Sequence, residues 1–488
     1  MKHFSRALVW LTISEIIFNA SGYVIHTALG RILGPEDYGR FGIIVTLTTM
    51  LIVLIGNGVP TAMSKYLSEV FEDHPERIRT IKRQAIILQV LIILPVTAIF
   101  YLLSPFIAGT ILKDASLTSL FRLSSLIIPA FAAASFYFYY YTGLHFFRLQ
   151  ASLKTLRSLA RIICIVGLGY LYGVAGAVSG YIAAPLSIFL IASLYDFFKV
   201  RPTLPEKNDA GFTFTRSELF KYAWPFTLFL IFYELVLTAD LYFVKALLRD
   251  DYLTGLYNAA ITAGRIPYFL FYALTIILLP AIAKSKAAKS DAETKSLVTQ
   301  SLRLMIIILL PMISLLFAYG HEVIQFFYGH RYLDAVPTYQ IFLIGSGCLT
   351  VFYVFAFALS GAGRVFIPMF GSLFGVVMMS ILNLSLIPRY GLTGAATAVT
   401  ITSFLLMLII LVALVHEFHI SLLPQALIIS LLSSILIALA TTLLPHGLLW
   451  FIPLSALLFI LHLTFLWKMK ILTPRDLGPL GKMFPSKA

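Results

Sequence analysis

Fourteen apolar stretches of about twenty residues each run almost end to end through this chain, and that repetition leaves few folds open. A run of ~18 or more apolar residues is long enough to cross the hydrocarbon core of a bilayer as a helix. Inside lipid, every backbone amide and carbonyl of such a segment must find its partner within the protein. The stretches fall at 8–30, 41–63, 84–104, 118–144, 158–173, 175–198, 218–246, 252–283, 302–320, 335–361, 365–387, 391–415, 423–444 and 448–467. Charged side chains make up 12% of the 488 residues, about half the share of a soluble domain. The expected fold class is therefore all-α, a polytopic membrane protein with about 14 transmembrane helices.

The net charge of +14 is distributed by side. Lys65, Arg77, Arg79, Lys82 and Arg83 follow the second span, and Arg148, Lys154, Arg157 and Arg161 follow the fourth. Lys199, Arg201, Lys207, Arg216 and Lys221 follow the sixth, Lys284, Lys286, Lys289, Lys295 and Arg303 the eighth, and Lys468, Lys470, Arg475, Lys482 and Lys487 close the chain. The opposite side holds only Arg31, Arg40, Lys113, Arg122, Lys245, Arg249, Arg331 and Arg389. An excess of Lys and Arg marks the cytoplasmic loops, so both termini are expected in the cytoplasm and the chain in the cell membrane. The basic residues read as topogenic, and no nucleic-acid partner is expected. The first span contains Glu15 and lacks a small-residue cleavage site, so it reads as a retained helix. Cys164 and Cys348 both fall inside spans and predict neither a disulfide framework nor a metal site. No connection exceeds about twenty residues, so the chemistry must lie between helices.

A weak internal repeat recurs at a spacing of about 217 residues. Tyr172-Gly173-Val174-Ala175-Gly176-Ala177 returns as Tyr390-Gly391-Leu392-Thr393-Gly394-Ala395, and Thr142-Gly143 as Ser360-Gly361. The turn Asp37-Tyr38-Gly39-Arg40-Phe41 is echoed by Leu253-Thr254-Gly255-Leu256-Tyr257. The displacement spans six helices, an even number, so the halves share one orientation. Parallel repeats of this kind occur in transporters, with the substrate site at the repeat interface. The expected organisation is a six-helix lobe at 1–198, a cytoplasmic linker at 199–217 and a pseudo-symmetric six-helix lobe at 218–415. Two extra helices and a cytoplasmic tail occupy 416–488.

The run Gly30-Arg31-Ile32-Leu33-Gly34-Pro35-Glu36-Asp37-Tyr38-Gly39 resembles the first external turn of polysaccharide and O-antigen flippases. These belong to the multidrug/oligosaccharidyl-lipid/polysaccharide exporter superfamily. Gly56-Asn57-Gly58-Val59-Pro60-Thr61-Ala62-Met63-Ser64-Lys65-Tyr66 is similar to the end of the second helix in the same group and in the related lipid II flippases. The resemblance implies alternating access around a central cavity lined mainly by helices 1, 2, 7 and 8.

Those helices also carry charges at mid-membrane depth. With a rise of 1.5 Å per residue, Glu15, Glu234 and Arg265 each lie about 20 Å from the outer ends of their spans. An ionised side chain there costs at least ~2.5–3.5 kcal/mol and marks a functional site by default. Around them polarity has helical spacing. Glu15, Asn19, Gly22, Tyr23, His26 and Gly30 share one face of span 1, and Asn258, Thr262, Arg265 and Tyr272 one face of span 8. Thr227, Glu234, Thr238 and Lys245 form a stripe on span 7, with Asp240 beside it towards the outer mouth; Thr46, Thr49, Gly56 and Asn57 lie on span 2. The candidate substrate residues are thus Arg265, Glu15, Glu234, Asn19, Asn258, Arg31, Asp240, Lys245 and Asn57. A Glu–Arg bridge locking spans 7 and 8 is the structural alternative.

The leading expectation is a flippase carrying an isoprenoid-diphosphate-linked oligosaccharide to the outer leaflet for surface polysaccharide synthesis. Its partners would be the lipid-linked oligosaccharide, the bilayer and polysaccharide-assembly proteins. Arg265, Arg31 and Lys245 would attract the anionic headgroup. The resemblance implies a more cationic cavity for lipid II flippases, and Glu15, Glu234 and Asp240 leave this layer without a positive excess, which ranks a lipid II-type cargo second. A cation-coupled multidrug exporter ranks third. No cofactor is expected, and a proton or Na⁺ bound at Glu15 or Glu234 is the candidate coupling ion. An enzyme of lipid-linked sugars would need a catalytic cluster. The only external one is His321, Glu322, His330, Arg331 and Asp334, expected as a solvated rim.

Overall fold

The computed structural model of the chain describes residues 2–56, 58–71, 74–205, 216–420, 424–469 and 471–472, and every element among them is helical. Asn57 lies outside the described residues. Seven of the described helical segments are long and apolar enough to cross a membrane by length and composition. Large apolar side chains stay uncovered along them, such as Leu102 at 73% and Val412 at 69% exposure. A water-facing surface would not carry such belts, and the protein is a multi-pass membrane protein.

The chain divides into two compact units, Met1–Gly255 and Leu256–Ala488. In the first, α1 (Lys2–Gly56) carries two spans in one helical run, interrupted at Gly34, where φ is 78°. α2 (Gly58–Val70) and α3 (Ile78–Phe106) follow. The fourth span, expected as one helix over 118–144, is two: α4 (Thr118–Ser125) and α5 (Ile127–Gly143). Pro129 has no amide hydrogen to give the carbonyl four residues back, so the helix is interrupted there. α6 (Phe147–Arg161) runs through a π turn at Ile162–Val166 into α7 (Gly167–Tyr195), and α8 (Arg216–Leu248) ends the set. Residues 148–157, expected between the fourth and fifth spans, are helical. Met63, Leu67, Ile81, Tyr140, Tyr141 and Ile188 form part of this unit's core.

α9 (Asp251–Gly264) and α10 (Ile266–Ala287) divide the eighth span at Arg265; Pro267 again removes the bond that would join them. α11 (Asp291–Ala318), α12 (Gly320–Tyr328), α13 (Val336–Gly361), α14 (Phe366–Phe418), α15 (Pro424–Thr441) and α16 (Phe451–Lys468) complete the chain. The apolar window containing α13 is 78% buried, against 22% for α16, so α13 is central to its unit and α16 peripheral. Pro311 leaves the Ile307 carbonyl without its intrahelical donor. His462 Nε2 of α16 supplies one at 3.2 Å, and its Nδ1 lies 3.1 Å from the Ser433 hydroxyl of α15. That histidine pins the last two helices to α11.

The repeat is visible in the backbone. Gly173 and Gly391 both break long helices with positive φ, at φ/ψ of 61°/−142° and 57°/−132°. An L side chain is strained in that conformation, which explains why Tyr-Gly recurs. α5 and α13 both end at the repeated glycines Gly143 and Gly361, each followed two residues later by positive φ, at His145 (59°) and Gly363 (83°). The third match is a reciprocal contact. A Cβ on Gly39 would lie 2.4 Å from the Asp251 carbonyl oxygen, and one on Gly255 would lie 1.8 Å from that of Pro35. Two repeated segments thus pack backbone to backbone, and only glycine permits the approach.

Candidate functional site

Lys154, Arg157 and Arg161 recur at i, i+3 and i+7 on α6 and so share one helical face. That face packs on α1. Lys154 Nζ donates to Glu15 Oε1. Phe18, one turn from Glu15, lies under all three cations: its ring centroid is 4.3 Å from Arg161 Cζ, 5.2 Å from Arg157 Cζ and 5.3 Å from Lys154 Nζ. The Arg157 guanidinium also stacks 4.1 Å from the Phe131 ring and 5.5 Å from Phe138. Arg157 is 4% exposed. Its Nε and the Nη1 of Arg161 are buried donors with no acceptor. Among the described residues Glu15 is the one carboxylate paired with this face. Aromatic rings stabilise a cation through their faces, but they leave the in-plane N–H groups unsatisfied. The cluster is therefore short of negative charge and of hydrogen-bond acceptors.

A second ionic cluster stands in contrast. Lys245 Nζ of α8 is 2.8 Å from Asp114 Oδ2 and also bridges Asp251 Oδ1. Arg40 Nε donates to Asp251 Oδ2 at 2.7 Å, with Asp37 4.0 Å away. Asp114 Oδ1 accepts from the Ser116 amide at 3.1 Å and its hydroxyl at 2.6 Å. Desolvation pushes the Asp114 carboxyl upward, but hydrogen bonds from Lys245 and Ser116 outweigh it and hold the group below its ordinary value. Here the carboxylates match the cations, and the network clasps the Gly39–Gly255 contact.

The expected site residues are dispersed over these elements. Glu15 is engaged by Lys154, and Asn19 lies half-buried one turn along α1. Arg31 is exposed on α1. Glu234 is half-buried on α8, where its carbonyl accepts from Thr238 Oγ1 at 2.7 Å. Asp240 is fully buried and Lys245 is 2% exposed, committed to two carboxylates. Asn258 is 3% exposed on α9. Arg265 occupies the break between α9 and α10, with its Cζ 6.0 Å from the Phe342 ring. Lys154 and Arg157, counted among the basic residues after the fourth span, lie on a helix packed against α1. One expectation is corrected. Glu322 is not on a solvated rim; it is 4% exposed, accepts from the Gly447 amide at 3.2 Å and lies 3.0 Å from His446 Nδ1. Among the described residues no group of three or more His, Cys, Asp or Glu could hold a metal ion. The α6 face was missed because its charges were counted for topology; their i, i+3, i+7 spacing with Leu156 and Leu159 between them was the available signal.

Comparison with known proteins gives a family and a fold. The family described as polysaccharide biosynthesis protein matches residues 5–286. The chain is similar to the uncharacterized membrane protein MJ1375 of Methanocaldococcus jannaschii, 23% identical with 82% of this chain and 95% of that one covered. It is also similar to stage V sporulation protein B of Bacillus subtilis, at 24% identity over 81% of this chain and 80% of that one. Among solved structures, the lipid II flippase MurJ in an inward closed conformation superposes with a TM-score of 0.77 at 15% identity, over 95% of this chain and all of that one. An inward-facing multidrug resistance MATE family transporter of the MOP superfamily gives 0.68 at 13% identity, over 85% and 98%. The chain has the fold of these transporters.

Proposed function

The chain belongs to the polysaccharide biosynthesis protein family, and from that premise we propose that it is a flippase moving an isoprenoid-diphosphate-linked saccharide from the cytoplasmic to the outer leaflet. The observation that carries this reading is the face of Lys154, Arg157 and Arg161 folded against α1 with Glu15 as its one paired carboxylate among the described residues. Cations in an apolar body are costly, and a diphosphate supplies the missing charge and acceptors. Two cargoes fit. A surface oligosaccharide agrees with the family description. A lipid II-type precursor agrees with the fold shared with a lipid II flippase over 95% of the chain and with the likeness to a sporulation protein. The objection to lipid II was the lack of a positive excess, and the α6 cations remove it. The lipid II-type cargo is the better supported of the two.

In this reading the two six-helix lobes, 1–198 and 218–415, alternate access, residues 416–488 are an appendage, and both termini face the cytoplasm. Cysteine labelling should find Ala288 inside and Asp334 outside; inversion at both sites would remove the orientation. A coupling proton or Na⁺ at Glu15 would have to compete with the Lys154 ammonium. The function is tested in proteoliposomes holding the full chain and a fluorescent isoprenoid-diphosphate-linked saccharide. Translocation of that lipid but not of a neutral isoprenoid-linked sugar is expected. Equal movement of both would refute an anion-selective flippase.

A further inference from the structure

We propose that Arg157 and Arg161 hold a phosphate-type oxyanion, and that Glu15 is a resident counter-ion which this oxyanion displaces from Lys154. The inference rests on the flippase reading for its substrate class but assigns its own residues. The cluster has a rim and a floor. Side-chain exposure is 28% at Glu15 and 15% at Lys154, while Arg157 is 4% exposed. Glu15 is thus more accessible than Lys154, and Arg157 is the most buried member.

The chemistry of the floor suits an oxyanion. Phe131 and Phe18 lie against the Arg157 and Arg161 guanidiniums at 4.1 and 4.3 Å, contacts that engage the cations through ring faces and not through their N–H groups. Arg157 Nε and Arg161 Nη1 already lack acceptors. A planar guanidinium edge matches two phosphate oxygens, whereas an ammonium is a rotating point charge. Lys154 can therefore exchange a carboxylate oxygen for a phosphate oxygen through a small rotation of its side chain. The π turn at Ile162–Val166 begins at the next residue after Arg161, a local geometry that often marks a functional position in a helix. Glu15 lowers the affinity of the empty site and recaptures Lys154 when the anion departs. It thereby favours release over permanent occupancy.

The test is calorimetric binding to the full chain in lipid nanodiscs, with farnesyl diphosphate, farnesol and inorganic pyrophosphate as probes. Farnesyl diphosphate should bind and farnesol should not compete. Arg161→Gln and the charge-retaining Arg157→Lys should each weaken binding by about tenfold or more. Glu15→Gln should tighten it several-fold, and adding Lys154→Met should erase that gain. If pyrophosphate binds with the same pattern, the site takes free oxyanions as well; binding of farnesyl diphosphate alone assigns it to a lipid headgroup. Wild-type affinity in both arginine variants, weaker binding in Glu15→Gln, or no binding of either diphosphate by the wild type would overturn the proposal. Saccharide-lipid translocation indifferent to these variants removes this subsite and leaves the flippase reading. The binding pattern without any translocation does the reverse.

Discussion

The two ionic clusters of the first unit use similar side chains and reach opposite outcomes. Around Lys245, two cations meet Asp114 and Asp251, with Asp37 nearby, and nearly every polar atom has a partner. Around Arg157, among the described residues, three cations meet one carboxylate, and two buried N–H donors have no acceptor. Although Arg40 and Asp37 of the first are 40% and 47% exposed, each cluster holds a deeply buried cation, Lys245 or Arg157, so a buried cation does not distinguish them. Charge balance does. A matched network gives up its desolvation cost for fixed geometry, which is what a clasp needs. An unmatched one keeps that cost outstanding until a ligand arrives.

The largest expected effect breaks the matched cluster. Lys245→Met strands the Asp114 carboxylate and half of Asp251 in a site where Lys245 is 3% exposed; removal of one partner of a buried pair costs about 3–5 kcal/mol. Thermal unfolding in detergent should show a marked fall. Arg157→Gln should do the opposite, leaving the unfolding temperature unchanged or higher while translocation drops. A loss of stability in Arg157→Gln as large as in Lys245→Met would erase the distinction.

The next effect sharpens the clasp. Gly255→Ala places a Cβ 1.8 Å from the Pro35 carbonyl oxygen, and the backbones must separate, at a cost of about 1–3 kcal/mol by the usual scale for overpacking. A Gly255→Ala protein as stable as wild type would show that the reciprocal contact is loose. The smallest effect is a pH dependence. Asp114 has a folded pKa below its unfolded value, so it stabilises the fold above the unfolded value and loses that contribution as pH falls through about 4 and lower. Acid titration of Asp114→Asn should lack this component. If wild type and Asp114→Asn lose stability in parallel, the Lys245–Asp114 bond contributes nothing.

The fold was largely legible because membrane helices announce themselves by length and apolarity. Each predicted span overlaps described helix, and the repeat's Tyr-Gly turns are the actual helix breaks at Gly173 and Gly391. The break at Leu126 was missed, although Pro129 stood in the sequence. The site was harder. Glu15 stood out as a charge inside a span, but its partner sits 139 residues away, on a stretch whose basic residues fit the positive-inside pattern equally well. Charge counting gave Lys154 a side of the membrane and hid its helical face. Glu322 was misread for a related reason: polarity at a loop suggests solvent, and only packing reveals that the Gly447 amide covers it.

The account turns on whether the unmatched cluster handles an anionic cargo. The most direct measurement is the initial rate of isoprenoid-diphosphate-linked saccharide translocation in proteoliposomes by wild type and Arg161→Gln, matched for thermal stability. The expected result is a rate at least about tenfold lower in the variant at an unchanged unfolding temperature. Equal rates would contradict it.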